Sequence, residues 1–153
     1  MKPTQLEIQC SMQILKPVHK VFEAIVNPEQ MTNYFISKSS GKMEEGKKLI
    51  WNFPEIKADV PVKVDKVIKD EYISYYWENG ESTQLVEMSL KPYKDGTTIV
   101  TVTEKSMENN ETGIKWLKGN TEGWANFLAC LKAWMEYGVH LRKGAFDYRF
   151  DKK

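Results

Sequence analysis

Histidine and cysteine are scarce in this chain, with two of each among 153 residues. His19 and His140 stand far apart, and neither Cys10 nor Cys130 lies at a metal-ligand spacing from them. No metal site is expected on that pattern. The chain has no Walker loop, no dinucleotide fingerprint and no Gly-x-Ser-x-Gly elbow, so the usual signatures of nucleotide and α/β-hydrolase chemistry are missing and no cofactor is expected. A Ser/His/acid triad assembles in space and leaves no fixed trace in a sequence. An excess of one charge is lacking too. Lys and Arg number 22 against 21 Asp and Glu, for a net charge of +1. That balance supplies no bulk attraction to nucleic acid or to an anionic membrane. No apolar run approaches the length of a transmembrane helix. Met1-Lys-Pro-Thr-Gln leads into an alternating pattern rather than the apolar stretch of a secretory signal. Both cysteines fall on apolar faces, which reads as two buried thiols in a reducing compartment. The expected location is the cytoplasm.

Against these absences, one stretch near the end of the chain stands out. Trp124, Phe127, Leu128, Leu131, Trp134, Met135 and Gly138 recur at i, i+3, i+4, i+7. They form one wide apolar face of a long helix. Ile114 and Leu117 extend the same face upstream. Gly113, Gly119 and Gly123 weaken the early part, which predicts a kink or a separate short helix before Gly119. The helix proper is expected over 120–142, with Gly138 tolerated inside it and Gly144 as its stop.

The rest of the chain alternates. Leu6, Ile8, Cys10, Met12 and Ile14 point one way from a first strand, with glutamines and Ser11 on the other face. Pro17 ends it. Val18, Val21, Phe22 and Ile25 then mark a short helix over 17–26. Asn27-Pro28 breaks that helix and starts a second, with Asn27 as N-cap and Met31, Tyr34 and Phe35 on its apolar side. Strands follow around Leu49-Trp51-Phe53, Val60-Val62-Val64, Tyr72 to Trp77, Val86-Met88-Leu90 and Thr98-Val100-Val102. Asn79-Gly80 and Asp95-Gly96 are hairpin signals. Pro61 favours an edge strand or a bulge. The order is β-α-α-β(about 6)-α in a single domain over 1–153. It predicts an α+β fold, a curved antiparallel sheet gripping the long C-terminal helix. A curved sheet leaves space beneath a straight helix, to be filled by large side chains or left as a cavity.

Two passages carry a family resemblance. Ile14-Leu-Lys-Pro-Val-His-Lys-Val-Phe-Glu-Ala-Ile-Val-Asn-Pro28 resembles the strand, proline, Val-Phe helix and Asx-Pro break of the START-like, or SRPBCC, helix-grip superfamily. Gly123-Trp124 opening the last helix, with Phe127-Leu128, Leu131-Lys132, Gly138 and Leu141-Arg142 behind it, is similar to a particular branch. That branch resembles the C-terminal domain of the activator of the heat-shock protein 90 ATPase. Tyr34-Phe35 stands where many members have a tryptophan. The resemblance implies the helix-grip fold over nearly the whole chain. It spans lipid carriers, hormone receptors, polyketide cyclases and co-chaperone domains.

The aromatic set is the distinctive chemical feature. Phe35, Trp51, Phe53, Val62, Tyr75, Trp77, Met88, Trp124, Phe127, Leu128 and Leu131 are the expected lining of a cavity between sheet and helix, or the filling of the core there. Tyr75, Asn126 and Glu104 are the candidate polar groups, with Glu104 expected at an exposed strand end. A carboxylate buried in that cavity would be an acid–base candidate. The favoured reading is non-enzymatic binding of a small apolar or aromatic ligand. The alternatives are a protein-interaction module with a protein partner, and an enzyme of cyclase or hydrolase type.

Overall fold

A computed structural model describes residues 4–79 and 82–150. Its elements are β1 (Gln5–Ile14), α1 (Val18–Val26), α2 (Pro28–Met31), β2 (Lys38–Ser39), β3 (Lys48–Phe53), β4 (Ile56–Ile68), β5 (Tyr72–Asn79), β6 (Ser82–Tyr93), β7 (Thr97–Glu108) and α3 (Glu111–Tyr137). The seven strands form one antiparallel sheet in the order β1-β7-β6-β5-β4-β3-β2. The first strand therefore pairs with the last, and α1 and α2 carry the chain from one sheet edge to the other. Register shifts at Leu6/Glu7, Trp51/Phe53 and Val64/Val67 bend the strands, because a bulge sharpens local twist. The resulting curved sheet closes around α3, the α+β helix-grip arrangement expected from the order of elements.

The break between the short helices forms as its residues dictate. Pro17 sits in extended conformation just before α1. The Asn27 side chain accepts a hydrogen bond from the Glu29 N–H at 3.0 Å, with Pro28 at the first helical position of α2. That helix is one turn only. Tyr34 and Phe35 lie in the turn beyond it rather than on its apolar side, both buried. The Tyr34 hydroxyl donates to the Ala24 carbonyl at 2.8 Å and ties this turn to α1.

Pro61 lies in an interior strand, not an edge strand. The β4–β5 ladder begins at Val62, so Pro61 falls just outside it and needs no N–H on that side. At the second hairpin Asp95 and Gly96 both adopt positive φ. At the first, Asn79 pairs with Ser82, while Gly80 lies outside the described residues.

Three expectations for the last helix are corrected. It runs unbroken from Glu111 to Tyr137, with no kink before Gly119. Gly119 and Gly123 face open space, so they cost propensity without disturbing packing. The helix also ends earlier, since Gly138 is its left-handed cap (φ 64°) and not an interior residue. The Gly138 N–H reaches the Trp134 carbonyl at 2.9 Å and the Val139 N–H reaches Ala133 at 3.2 Å, a Schellman termination. Finally, Ile114 is 46% exposed, and Trp116 is buried in its place. The helix start is set by Gly113, where a Cβ would lie 1.9 Å from the Glu108 carbonyl oxygen. Asn110 caps it by accepting from the Gly113 N–H at 2.8 Å.

Both cysteines are free thiols, Cys130 buried and Cys10 half-buried. Burial raises the pKa of each.

Candidate functional site

The concave face of the sheet and the inner face of α3 meet through aromatic rings. Phe35, projecting from the turn after α2, is the hub. Its ring centroid lies 4.7 Å from Phe127, 5.3 Å from Phe53, 5.6 Å from Trp51 and 6.2 Å from Trp124. Trp51 meets Tyr75 edge-on at 5.1 Å, and Tyr75 meets Trp77 at 5.4 Å. Such offset and edge-to-face contacts are the preferred geometry of aromatic pairs. Trp51, Val62, Tyr75, Met88, Phe127, Leu128 and Leu131 are all buried core residues. These members of the aromatic and aliphatic set fill the interior under the sheet.

What remains open is a pocket of about 170 Å³ at the mouth, between the β3–β4 turn and the first half of α3. Four of the expected residues, Phe35, Phe53, Trp77 and Trp124, line it, together with Ile56, Asn120, Gly123 and Arg142. Drug-sized ligands occupy roughly 300–1,000 Å³. A cavity of about 150 Å³ takes one benzene ring. The pocket therefore suits a single ring or a group of that bulk.

Directly behind it is Glu104, and here the structure corrects the expectation of an exposed side chain. Glu104 has 0% exposure. One carboxylate oxygen accepts from the Trp124 indole N–H at 2.7 Å and from the Asn120 amide at 3.0 Å. The other accepts from the Trp77 indole N–H at 2.8 Å. Three N–H donors and no acceptor converge on it, the complement of an ionised carboxylate. Period two explains its position: Val100, Val102 and Glu104 share the inward face of β7. The amide that reaches it belongs to Asn120 and not to Asn126, which is half-buried further along α3.

Arg142 closes the other side of the mouth. After Gly138 the chain turns back, and the guanidinium makes a two-point contact with Glu55, at 2.9 and 3.2 Å. The side chains of Arg142 and Glu55 are 14% and 3% exposed. The same guanidinium lies over Phe53 at 5.7 Å, Phe35 at 5.9 Å and Phe146 at 5.1 Å, within cation–π range. Sequence reasoning missed this role, because a helix continuing through residue 142 would have carried Arg142 away from the sheet. The Pro54-Glu55 turn and the arginine carried no local signal of their partnership. Phe146 is half-buried beneath Arg142 and Arg149, whereas Tyr148 and Phe150 are exposed.

Tyr75, expected as a polar group of the cavity, is sealed inside the core. Its hydroxyl and the Trp51 indole N–H have no hydrogen-bond partner among the described residues. Burial holds the Tyr75 hydroxyl well above its ordinary pKa, and the charge of Glu104 adds to the effect. His19 and His140 are both exposed. Among the described residues no group of three His, Cys, Asp or Glu side chains is placed to hold a metal ion. No helix among them is long and apolar enough to cross a membrane.

A seven-stranded antiparallel sheet curled around a long C-terminal helix, with an aromatic mouth between them, is a helix-grip protein of the START-like class. Within that class, residues 16–136 match the model of the Activator of Hsp90 ATPase homolog 1-like protein family. The chain belongs to that family. Among solved structures it is similar to the protein SSP2350 from Staphylococcus saprophyticus, with 31% identity and a TM-score of 0.80 over 90% of this chain and 96% of that one. The Aha1 dimer from Colwellia psychrerythraea shares the fold at 18% identity and a TM-score of 0.74, covering 87% and 98% of the two chains. Protein BH1534 from Bacillus halodurans does so at 21% identity and a TM-score of 0.72, covering 85% and 97%. No curated protein matches the chain.

Proposed function

We propose that the protein binds a small apolar or aromatic group, one ring in bulk, at the mouth between sheet and helix. The observation that carries this reading is the pocket of about 170 Å³, walled by Phe35, Phe53, Trp77 and Trp124 with Asn120 and Arg142 as its polar groups. An apolar wall with a few placed polar side chains is the usual composition of a ligand site. Because the deeper interior is occupied by the protein's own rings, the ligand sits at the mouth, and any larger part of it projects outward. The role is binding rather than catalysis. Tyr75 and Glu104, the acid–base candidates, lie behind the pocket wall, and Glu104 already accepts three hydrogen bonds. The test is native mass spectrometry of protein purified from its own host, compared with the denatured sample. A co-purifying small molecule released on denaturation supports the reading. To overturn it, single-ring probes such as phenol and toluene would have to leave the Trp77 and Trp124 indole N–H resonances unmoved at saturating concentration.

A protein-interaction role is the second reading, and a separate feature supports it. The outer face of the sheet carries an open groove of about 560 Å³, where Ile50, Pro61 and Tyr76 lie between Lys48, Lys63 and Glu78. Exposed apolar side chains ringed by charges are typical of a docking surface. Loss of a captured partner on Tyr76→Lys, with the mouth intact, would favour this reading.

A further inference from the structure

We infer that the group held at the mouth is an organic cation of the alkylated-ammonium type. The inference rests on the reading of the mouth as a small-ligand site and adds the charge of the ligand. Trp77, Trp124 and Asn120, which form the back of the pocket, are the same three side chains that donate to Glu104. No lysine, arginine or histidine among the described residues pairs with that carboxylate. The one cation at the pocket, Arg142, is already paired with Glu55. The site therefore keeps one negative charge without a counter-ion in contact, buried where Coulomb interactions are weakly screened. A ligand anion would meet that field unfavourably, and a neutral ligand would gain only from burial.

The pocket walls favour a cation for a second reason. An aromatic face attracts a cation through its quadrupole, most strongly in tryptophan. An indole N–H donating to a carboxylate is polarised so that its ring becomes richer in electron density. Trp77 and Trp124, with rings stacked 5.5 Å apart, are both polarised in this way by one anion. The protein itself shows that this mouth holds a cation, since the Arg142 guanidinium rests over Phe35 and Phe53. A trimethylammonium head matches the space beside it in bulk, is more weakly hydrated than a primary ammonium, and needs no hydrogen-bond acceptor.

The test uses the intact chain and two isosteric probes, choline and its neutral analogue 3,3-dimethyl-1-butanol. Binding is read from the indole N–H resonances of Trp77 and Trp124. Choline is expected to bind about tenfold more tightly than the neutral probe, the scale of a partly desolvated cation–π contact. In Glu104→Gln, shown to be folded by its thermal melt, that preference should fall toward unity. Equal or tighter binding of the neutral probe by the wild-type protein overturns the charge assignment and leaves the small-ligand reading standing. If neither probe nor phenol perturbs the two indoles, the ligand site and the inference fall together. The wild-type comparison stands on its own if Glu104→Gln does not fold.

Discussion

Trp77 on β5 and Trp124 on α3 stack at 5.5 Å with 29° between their planes, and both donate an indole N–H to Glu104. One carboxylate on β7 therefore fastens the helix to the sheet at the point where the mouth opens. Backbone ladders hold strands to one another, whereas at this point side chains join the two layers.

That arrangement sets the cost of losing the carboxylate. Glu104→Leu preserves bulk but strands two indole N–H groups and one amide N–H. An unsatisfied buried donor costs about 1–3 kcal/mol. Glu104→Leu is expected to lower stability by about 3 kcal/mol or more in urea unfolding, and Glu104→Gln by less, since its carbonyl oxygen still accepts. If Glu104→Leu matched the wild type in stability, the hydrogen-bonded carboxylate would have no role in holding the layers together.

The Arg142–Glu55 pair should behave as a unit. Arg142→Ala leaves the Glu55 side chain, 3% exposed, without its partner, and an orphaned buried charge is the costly outcome. We expect a loss of about 2 kcal/mol, discounted from the fully buried range because Arg142 reaches solvent. Adding Glu55→Ala should restore part of it, so the double variant loses less than the two single losses combined. Strict additivity in a double-mutant cycle would show that the two side chains do not stabilise each other.

These two features also mark where the sequence was legible and where it was not. Alternation in residues 5–14 and the Asn27-Pro28 break act within a few residues, so they read directly as β1 and the α1–α2 junction. Most of the aromatic set was visible for the same reason, since period two and period 3.6 assign the rings on strands and on α3 to an inner face, whereas Phe35 lies in the turn beyond α2, where neither period applies. Glu104 obeyed that alternation as well, but the buried part of the strand was expected to stop short of it, which placed it at an exposed end. What overrides that expectation is a donor set drawn from distant elements, which no local pattern encodes. Arg142 was hidden by a boundary, because a helix ending at Tyr137 instead of near residue 142 changes which way every later side chain points. How much of the interior is filled and how much is open depends on ring packing to within an ångström. Periodicity carries no such information.

Alkaline pH offers a test of packing around the tyrosines. Burial raises Tyr34 and Tyr75 far above the ordinary value of 10. Tyr72 is pushed up to about 12, first by burial and then by its 2.5 Å hydrogen bond to Glu87. For an acid whose folded pKa is raised, the stabilisation is complete below the unfolded pKa and is lost as pH rises toward the folded value. Stability should thus hold to about pH 10 and fall above it. Tyr34 and Tyr75 should ionise only as the protein unfolds, seen as tyrosinate absorbance rising together with loss of the near-ultraviolet dichroism. Tyr72→Phe should soften the decline. Titration of all the tyrosines near pH 10 in the folded protein would contradict the sealed interior.

The glycines of α3 supply an opposed pair. Gly119 has open space where a Cβ would go, so Gly119→Ala should stabilise the protein by about 1 kcal/mol through helix propensity alone. Gly113 belongs to the same helix, but there the added Cβ would meet the Glu108 carbonyl oxygen at 1.9 Å and the Leu6 side chain at 3.3 Å. Propensity favours alanine equally at both sites, yet Gly113→Ala forces the helix start away from the end of β7. Backbone has to move, and overpacking of this kind costs about 1–3 kcal/mol. Opposite signs in the thermal melts of the two variants are the expected result. The same sign for both would mean that α3 does not begin against Glu108, and the close approach that positions Asn120 and Trp124 over the carboxylate would have to be redrawn.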